Sequence, residues 1–421
     1  MPSNKLRILS TGMGWPSSQA GGLNTYFKNI CENLSNRNTL EALVCSVDQP
    51  EVKEGMLVTS IADPGMKLRK RRNMFRNYAA KLMEEQEVDI VYSHFAPYGV
   101  GAAEEARKRN IPVVIAFHGP WSEEIRAEGG RITHRIKAWI AKSMEMRAYR
   151  HADAFIVLSE TFRDVLHQQY GIPLERIHII AGAADIRRFQ PSADRMEVRR
   201  SLSLAEDCTA VLTVRRLVNR MGLLQLLDAW KEVVQQAPDA VLLIGGRGPL
   251  KEQLESRIAE YGLEGQVRLL GYVSDDDLPR YYQAADLFVV PTQSLEGFGL
   301  ITVEAMASGL PVSATPVGGS REILEKFRPD LLFKSKSSSD IATGIIHLLK
   351  HKQQWPTAEQ CRRHVLENYT WELATNQVEA VFETVLEKYR KIGVSTAGIT
   401  FHGHRAQGKG RHDADVKSGV H

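Results

Sequence analysis

Cysteine is scarce in this chain of 421 residues, and long apolar runs are missing from it. The four cysteines are far apart, so their spacing matches neither a zinc site nor a redox pair. Scattered cysteines are typical of a reducing compartment. No stretch approaches the roughly 18 apolar residues of a membrane-spanning helix. The opening residues, MPSNKLRILS, also lack the apolar core of a signal peptide. We therefore expect a soluble, cytoplasmic protein.

Positive and negative charges nearly balance, because the chain has 54 Lys and Arg and 50 Asp and Glu. We expect no nucleic-acid partner. The amino-terminal half nevertheless contains two basic stretches, residues 67–76 and residues 126–150, and the first has no acidic residue. Such clusters favour an anionic membrane or a phosphorylated acceptor, although a solvated helix face produces the same pattern. The membrane interpretation predicts peripheral attachment to the inner face of an acidic membrane.

Short apolar runs alternate with amphipathic stretches along the chain, which predicts an α/β protein with parallel sheets covered by helices. The predicted strands are Leu6–Ser10, Leu43–Val47, Ile90–Ser93, Val113–Phe117, Phe155–Leu158 and Ile177–Ile180 in the first half, and Ala210–Val214, Val241–Ile244, Val267–Leu270, Leu287–Val290, Val312–Ala314 and Leu331–Phe333 in the second. The length fits two domains. Doubly wound domains hold ligands at the carboxyl ends of their strands, which here predicts a site in the cleft between them.

The predicted domain boundary lies near Arg187–Ala193, where a proline and small polar residues interrupt the pattern. We expect one Rossmann-like domain over residues 1–190, on the acceptor side, and a second over residues 191–370 that binds the nucleotide sugar. Residues 371–391 predict an amphipathic helix that packs back towards the amino-terminal domain. Residues 392–421 have few apolar side chains, which predicts a disordered tail.

The most informative segment is EGFGLITVEAMASGLPV at residues 296–312. Its Gly-Phe-Gly turn lets backbone amides approach a ligand, and the amides at the start of a helix bind anions. Glu296 stands just before the predicted helix and Glu304 lies two turns inside it. Eight residues of helix separate them by about 12 Å, which fits the two ends of a nucleotide sugar.

This segment resembles the signature of the family-4 retaining glycosyltransferases, also called glycosyl transferases group 1, which have the GT-B fold of two Rossmann-like domains facing a cleft. The resemblance implies that Glu296 contacts hydroxyls of the donor sugar and that Glu304 binds the ribose hydroxyls. It also implies donor-binding amides at Phe298, Gly299 and Leu300. Carboxylates suit both tasks because they accept charge-assisted hydrogen bonds from hydroxyls.

The segment VLTVRRLVNRMG at residues 211–222 is similar to the phosphate-binding loop of the same family. Arg216 matches the arginine of the usual Gly-Arg-Leu, whereas Arg215 replaces the glycine and Met221 replaces a lysine. The resemblance implies that Arg216 neutralises the diphosphate, and Arg220 is our candidate for the second cation. Guanidinium groups do this without a metal. We therefore expect no metal ion and no cofactor beyond the nucleotide-diphosphate sugar that is the substrate.

Three weaker features complete the predicted site. Gly22 opens the first helix, in a loop that the resemblance places close to the donor phosphate and the acceptor. His118 closes the run PVVIAFHG, where the family often has a histidine facing the donor sugar. The backbone near Val273 is implied to contact the nucleobase. Asp275–Asp277 has the composition of a metal site, but a helix amino terminus rich in aspartate explains it better.

The resemblance implies a hexosyltransferase that retains the anomeric configuration. Its acceptor would be a saccharide, a lipid-linked sugar or a small molecule, in the synthesis of cell-envelope polysaccharide, glycolipid or glycoconjugate. A GT-B nucleotide-sugar epimerase or hydrolase and a non-catalytic sugar-nucleotide-binding subunit stay open as alternatives. A dehydrogenase is disfavoured, because Ser17 stands where the fingerprint begun by Gly12 and Gly14 requires its third glycine.

Overall fold

A computed structural model describes residues 5–19, 21–47, 55–128 and 132–399. They form two α/β domains, which confirms the predicted fold class. The amino-terminal domain contains strands β1 (Arg7–Gly14), β2 (Thr39–Cys45), β3 (Met56–Ala62), β4 (Ile90–Ser93), β5 (Val113–Phe117), β6 (Ala154–Val157) and β7 (Ile177–Ile179), with helices α1 (Gly22–Leu34), α2 (Leu68–Glu85), α3 (Ala96–Lys108), α4 (Trp121–Glu128), α5 (Ile132–Tyr149) and α6 (Glu160–Tyr170). The carboxy-terminal domain contains strands β8 (Thr209–Val214), β9 (Ala240–Gly245), β10 (Val267–Gly271), β11 (Leu287–Val290) and β12 (Val312–Ala314), with helices α7 (Arg195–Ser201), α8 (Leu223–Gln236), α9 (Lys251–Glu260), α10 (Leu278–Ala284), α11 (Leu300–Ala307), α12 (Gly318–Phe327), α13 (Ser338–Lys350) and α14 (Ala358–Asn368). A last helix, α15 (Trp371–Ile399), follows.

Each sheet has one point at which the order of the strands reverses. The first sheet has the order β3-β2-β1-β4-β5-β6-β7 and the second has the order β10-β9-β8-β11-β12, and the described pairs are all parallel. The reversals lie between β1 and β4 and between β8 and β11. Loops that leave two such strands diverge to opposite faces of the sheet and open a crevice, where ligands bind. The topology therefore predicts two half-sites.

Two details of the sheets differ from the prediction. Strand β3 was not predicted; it lies at the sheet edge, and Thr59 and Ser60 interrupt the continuous apolar run that marks a fully buried strand. The predicted strand Leu331–Phe333 is wrong as an element. It makes only an isolated bridge to Ala314, because a short 3-10 turn that begins at Pro329 occupies part of the segment.

The last helix, α15, lies on the amino-terminal domain. Glu379 accepts a hydrogen bond from the Asn38 side chain (2.7 Å) and pairs with Arg37 (3.0 Å). The helix continues past the predicted end at residue 391 to Ile399, because a docked helix extends at little cost once its first turns are formed. Residues 392–399 of the predicted tail thus lie within this helix, and residues 400–421 lie outside the described residues. None of the helices in the described residues combines the length and the apolar composition that a membrane crossing requires.

Side chains of the two domains meet along the cleft. Glu322 of α12 accepts hydrogen bonds from the backbone amides of Glu160 (2.8 Å) and Thr161 (2.9 Å) at the start of α6. A carboxylate is favourable there, because a helix amino terminus carries partial positive charge. Nearby, Gly182 lies so close to Phe298 that a Cβ atom would stand 2.5 Å from the phenyl ring. The two half-sites are therefore brought together.

Candidate active site at the domain cleft

The loop between β8 and α8 carries three arginines, Arg215, Arg216 and Arg220. It enters α8 through Gly222, whose φ is 74°. A Cβ atom at this position would lie 1.8 Å from the carbonyl oxygen of Pro291, so only glycine fits. This close approach fixes the arginine loop against the segment that follows β11, and it joins the two sides of the second crevice.

Arg216 and Arg220 differ in their surroundings. Arg216 is exposed, and within the described part of the chain its side chain has no hydrogen bond or ion pair. Arg220 is partly buried, donates to the Leu295 carbonyl oxygen (2.8 Å) and pairs with Glu124 of α4 (3.2 Å), so it bridges the domains. Burial lowers the pKa of Arg220, and the charges of the two neighbouring arginines lower it further, although Glu124 opposes this. Met221 is buried and presents no charge here.

Arg215 forms a buried ion pair with Glu296, and the sequence did not predict this pair. Nη2 of Arg215 lies 3.2 Å from Oε1 of Glu296, and the two side chains are 5% and 6% exposed. Thr292 hydrogen-bonds to both side chains, and Ser320 donates to Oε1 of Glu296 (3.2 Å). A carboxylate has about four acceptor positions. Three partners leave about one position on Glu296, at Oε2. The signal available in the sequence was the additional arginine, Arg215, directly after β8.

The amino terminus of α11 lies beside this ion pair. Gly299 precedes the helix with a φ of 88°, and the first bond of the turn runs from the Thr302 amide to the Gly299 carbonyl (2.9 Å). Amides ahead of that bond have no partner within the helix. The Phe298 side chain is buried against Tyr369, so only the backbone of Phe298 is available to a ligand. Leu300 lies opposite Gly22 of α1, where a Cβ atom would stand 3.7 Å from it.

Glu304 lies deeper in α11 and is buried. Its Oε2 accepts a hydrogen bond from the Tyr282 hydroxyl (3.3 Å). Burial raises the pKa of Glu304 to about 7, and the positive charge of Arg188 opposes this rise. The carboxylate therefore keeps several free acceptor positions, but in a setting that penalises its charge.

Val273 follows β10, on the outer side of the same sheet. It packs on Gly245, where a Cβ atom would lie 2.8 Å from the valine. The next residue, Gly246, approaches the Arg215 carbonyl oxygen so closely that a Cβ atom would stand 1.8 Å away. The loops after β10, β9 and β8 therefore lie side by side. Asp277 is the N-cap of α10 and contacts Ser274. In the described ranges there is no group of three or more side chains suited to a metal ion.

A histidine pair lines the first crevice. His94 follows β4 and His118 follows the neighbouring strand β5, and Nδ1 of His94 lies 3.1 Å from Nε2 of His118. Tyr26 of α1 packs against the His118 ring, with 4.9 Å between centroids. His94 was missed by the sequence analysis, although it ends a strand in the same way as His118 does. Because α4 starts just after His118 and carries Glu124 to Arg220, the pair lies on the side that meets the arginine loop.

Burial controls the charge of both imidazoles. It lowers the pKa of His118 to about 3 and brings that of His94 well below its usual range. Both rings are therefore neutral at pH 7, and in their mutual hydrogen bond one nitrogen donates and the other accepts. Nε2 of His94 is buried without a hydrogen-bond partner in the described structure. Which tautomer His94 takes therefore decides whether the free nitrogen of His118 donates or accepts.

Comparisons with known proteins identify the family and the fold of this chain. The model of "Glycosyl transferases group 1" matches residues 194–366, and that of "Glycosyltransferase Family 4" matches residues 20–188. An uncharacterized glycosyltransferase of Methanocaldococcus jannaschii is 25% identical over 91% of this chain and 99% of its own. The fold is similar to that of sucrose-phosphate synthase from Thermosynechococcus elongatus (TM-score 0.74, 21% identity, 93% and 100% of the two chains) and to that of an Anabaena protein solved with UDP (TM-score 0.71, 21% identity, 90% and 100%). The matches cover both domains, so the chain belongs to the group 1 and family 4 glycosyltransferases and has the GT-B fold.

Proposed function

We propose that this glycosyltransferase moves a hexosyl unit from a nucleotide-diphosphate sugar to an acceptor hydroxyl with retention of configuration. One observation carries the proposal. The exposed Arg216, which has no partner among the described residues, stands in the loop that is fixed against the segment leading to α11, and Arg220 lies in the same loop. Cations and free helix amides at one place form a binding site for a diphosphate.

The departing diphosphate gains negative charge as the glycosidic bond breaks. Arg216, Arg220 and the amides of Phe298, Gly299 and Leu300 would stabilise that charge, and they need little rearrangement because the loop is fixed. On this proposal two guanidinium groups and the helix start replace a divalent cation. Activity should therefore survive EDTA. Complete loss on chelation, with recovery on adding magnesium or manganese, would contradict the metal-free proposal.

The two carboxylates would hold opposite ends of the donor. We assign Glu296 to a sugar hydroxyl, for which Oε2 has about one acceptor position left. Glu304, further along α11, is assigned to the ribose hydroxyls. The backbone near Val273 would contact the base. The UDP-bound Anabaena structure supports a nucleotide-diphosphate donor, since its fold is similar over 90% of this chain.

The amino-terminal half-site would receive the acceptor. Gly22, opposite Leu300, lets the start of α1 approach the donor phosphate, and His118 would hydrogen-bond the donor sugar. We propose that the acceptor hydroxyl attacks the same face of the donor sugar from which the leaving group departs. The leaving phosphate takes the proton of that hydroxyl. The acceptor class we propose is a saccharide, a lipid-linked sugar or a small molecule of cell-envelope polysaccharide, glycolipid or glycoconjugate synthesis.

Product analysis distinguishes this proposal from its alternatives. Purified protein is incubated with UDP-hexoses and other nucleotide hexoses, with and without an acceptor mixture, and followed by proton NMR of the anomeric position. Transfer with the donor's own anomeric configuration supports the proposal, whereas an inverted product contradicts it. Epimerised or free sugar in acceptor-free samples, without transfer in the others, would instead identify an epimerase or a hydrolase. Donor binding without any turnover would identify a binding subunit.

A further inference from the structure

Helix α5 exposes an apolar stripe to solvent. Ile132 and Trp139 are 72% and 71% exposed, and Ile136 and Ile140 are also exposed. These four residues recur at helical spacing and form one continuous row. The opposite face of the helix is buried in the domain, through Ala138, Ala141, Met144, Glu145, Ala148 and Tyr149. Packing against the domain core therefore accounts for the apolar residues on the buried face of α5. It does not account for the exposed apolar row, which we call the α5 stripe.

Cations flank the α5 stripe. Arg135 and Lys137 are exposed on its two sides and form no ion pair among the residues that the structure describes. Two acidic groups of the neighbouring helix α4 are engaged, since Glu123 pairs with Arg126 (3.1 Å) and Glu124 pairs with Arg220 (3.2 Å). The surface around the stripe is therefore positive as well as apolar.

The amino end of α2 extends the positive surface. Nη1 of Arg72 lies 3.1 Å from the sulfur of Met144 on α5, so the two helices are in contact. Lys67, Arg69 and Lys70 are exposed just before that contact. The remainder of this basic stretch is occupied by internal interactions; Arg76, for instance, pairs with Glu104 and Glu105. The free charge thus lies at the end nearest α5.

We propose that the α5 stripe inserts into the headgroup region of an anionic bilayer, with the flanking cations against the lipid phosphates. A tryptophan and three isoleucines on a projecting helix, bordered by Lys and Arg, match the chemistry of a helix lying in the membrane interface. A protein partner would have to offer an acidic groove of matching shape, whereas a bilayer needs only acidic headgroups. Helix α4 packs against α5, and its Glu124 pairs with Arg220 of the cleft. Docking of α5 therefore places the cleft near the membrane surface.

The inference does not rest on the proposed chemistry, and binding is measured without substrates. The full chain is sedimented with phosphatidylcholine vesicles and with vesicles containing about one-third phosphatidylglycerol. We expect binding to the anionic vesicles only. The variant Ile136→Ser/Trp139→Ser should bind at least about tenfold more weakly. Its matched control is Leu57→Ser/Leu174→Ser, which changes two similarly exposed apolar side chains elsewhere in the domain and should bind like the wild type.

Charge and depth are tested separately. Arg135→Gln/Lys137→Gln should weaken binding about tenfold or more, whereas Arg200→Gln/Lys334→Gln, which removes the same charge from exposed sites of the other domain, should not. Trp139→Phe should still bind but lose the blue shift of tryptophan emission that vesicles cause in the wild type. Absence of binding to anionic vesicles, or equal binding of the Ile136→Ser/Trp139→Ser variant and the wild type, would overturn the proposal. So would a dimer that this variant dissociates, because the stripe would then join two copies.

Discussion

Arg215 and Glu296 form an ion pair beneath the cleft, with 3.2 Å between Nη2 and Oε1 and both side chains nearly inaccessible. Removing one partner of such a pair leaves a buried charge uncompensated, which costs about 3–5 kcal/mol, whereas removing both is far less costly. We therefore expect Arg215→Gln and Glu296→Gln each to lower the free energy of unfolding clearly. The double variant should recover a large part of the loss. Denaturant unfolding of all four proteins measures this coupling, and strictly additive losses would show that the two side chains do not stabilise each other.

Arg216 should act on catalysis and not on folding. It is exposed and has no partner in the described ranges, so Arg216→Ala should leave the melting temperature unchanged. Loss of one charged contact to the leaving group should lower kcat roughly a hundred- to a thousandfold. Arg200→Ala, at an exposed site in the same domain, is the matched control. Near-normal turnover of Arg216→Ala would remove this residue from the proposed diphosphate site.

The two carboxylates of the site should differ in nucleotide binding. Glu304 is assigned to the ribose, which changes little during transfer, so Glu304→Gln should raise KM for the donor with little change in kcat. Glu296→Gln should lower kcat, because the sugar ring would no longer be held for attack. In calorimetric titration with the nucleoside diphosphate, Glu304→Gln should bind weakly and Glu296→Gln almost normally. The reverse order of affinities would show that the two assignments are wrong.

Glu304 should also make stability depend on pH. Its pKa is about 7 in the folded protein, above the ordinary 4.5 of an unfolded chain, so the folded state binds more protons between these values. The contribution of Glu304 to the free energy of unfolding is therefore largest below pH 4.5, and it falls as the pH rises from 4.5 through 7. Between pH 5 and pH 8 the wild type should lose on the order of 2 kcal/mol more than Glu304→Gln. Parallel pH profiles of the two proteins would contradict the raised pKa.

His94 should act through His118. His94→Leu removes the hydrogen bond to Nε2 of His118, whereas His94→Asn keeps an amide close to the position of Nδ1. We expect His94→Leu to lower kcat about tenfold with little change in KM for the donor, and His94→Asn to retain most of the activity. Nitrogen-15 NMR of labelled histidine should find a single His118 tautomer in the wild type and a mixture in His94→Leu. An unchanged tautomer in His94→Leu would show that His94 does not orient His118.

The sequence by itself determined the fold class and most of the strands of both sheets. Strands buried on both faces must be almost continuously apolar, and LFVV at β11 or VVIAF at β5 shows this without reference to any partner. The glycines of the site are equally local. Gly299 has a positive φ at the start of α11, which other residues adopt at a cost, so the turn is visible in the residues themselves. Strand β3, with its mixed pattern at a sheet edge, carried no such local signal.

The tertiary structure decided which polar groups are already occupied. Arg215 and Arg216 are adjacent and identical in the sequence, yet one is buried against Glu296 and the other is exposed. In the same way, whether Arg76 or Lys70 is free depends on acidic side chains of another helix. Pairing and burial depend on groups that are distant in the chain, and these set both the cost of a charge and its availability to a ligand. For that reason the residue types of the site could be predicted from the sequence. The hydrogen-bond and ion-pair partners of each residue were determined only by the packing of the two sheets and their helices.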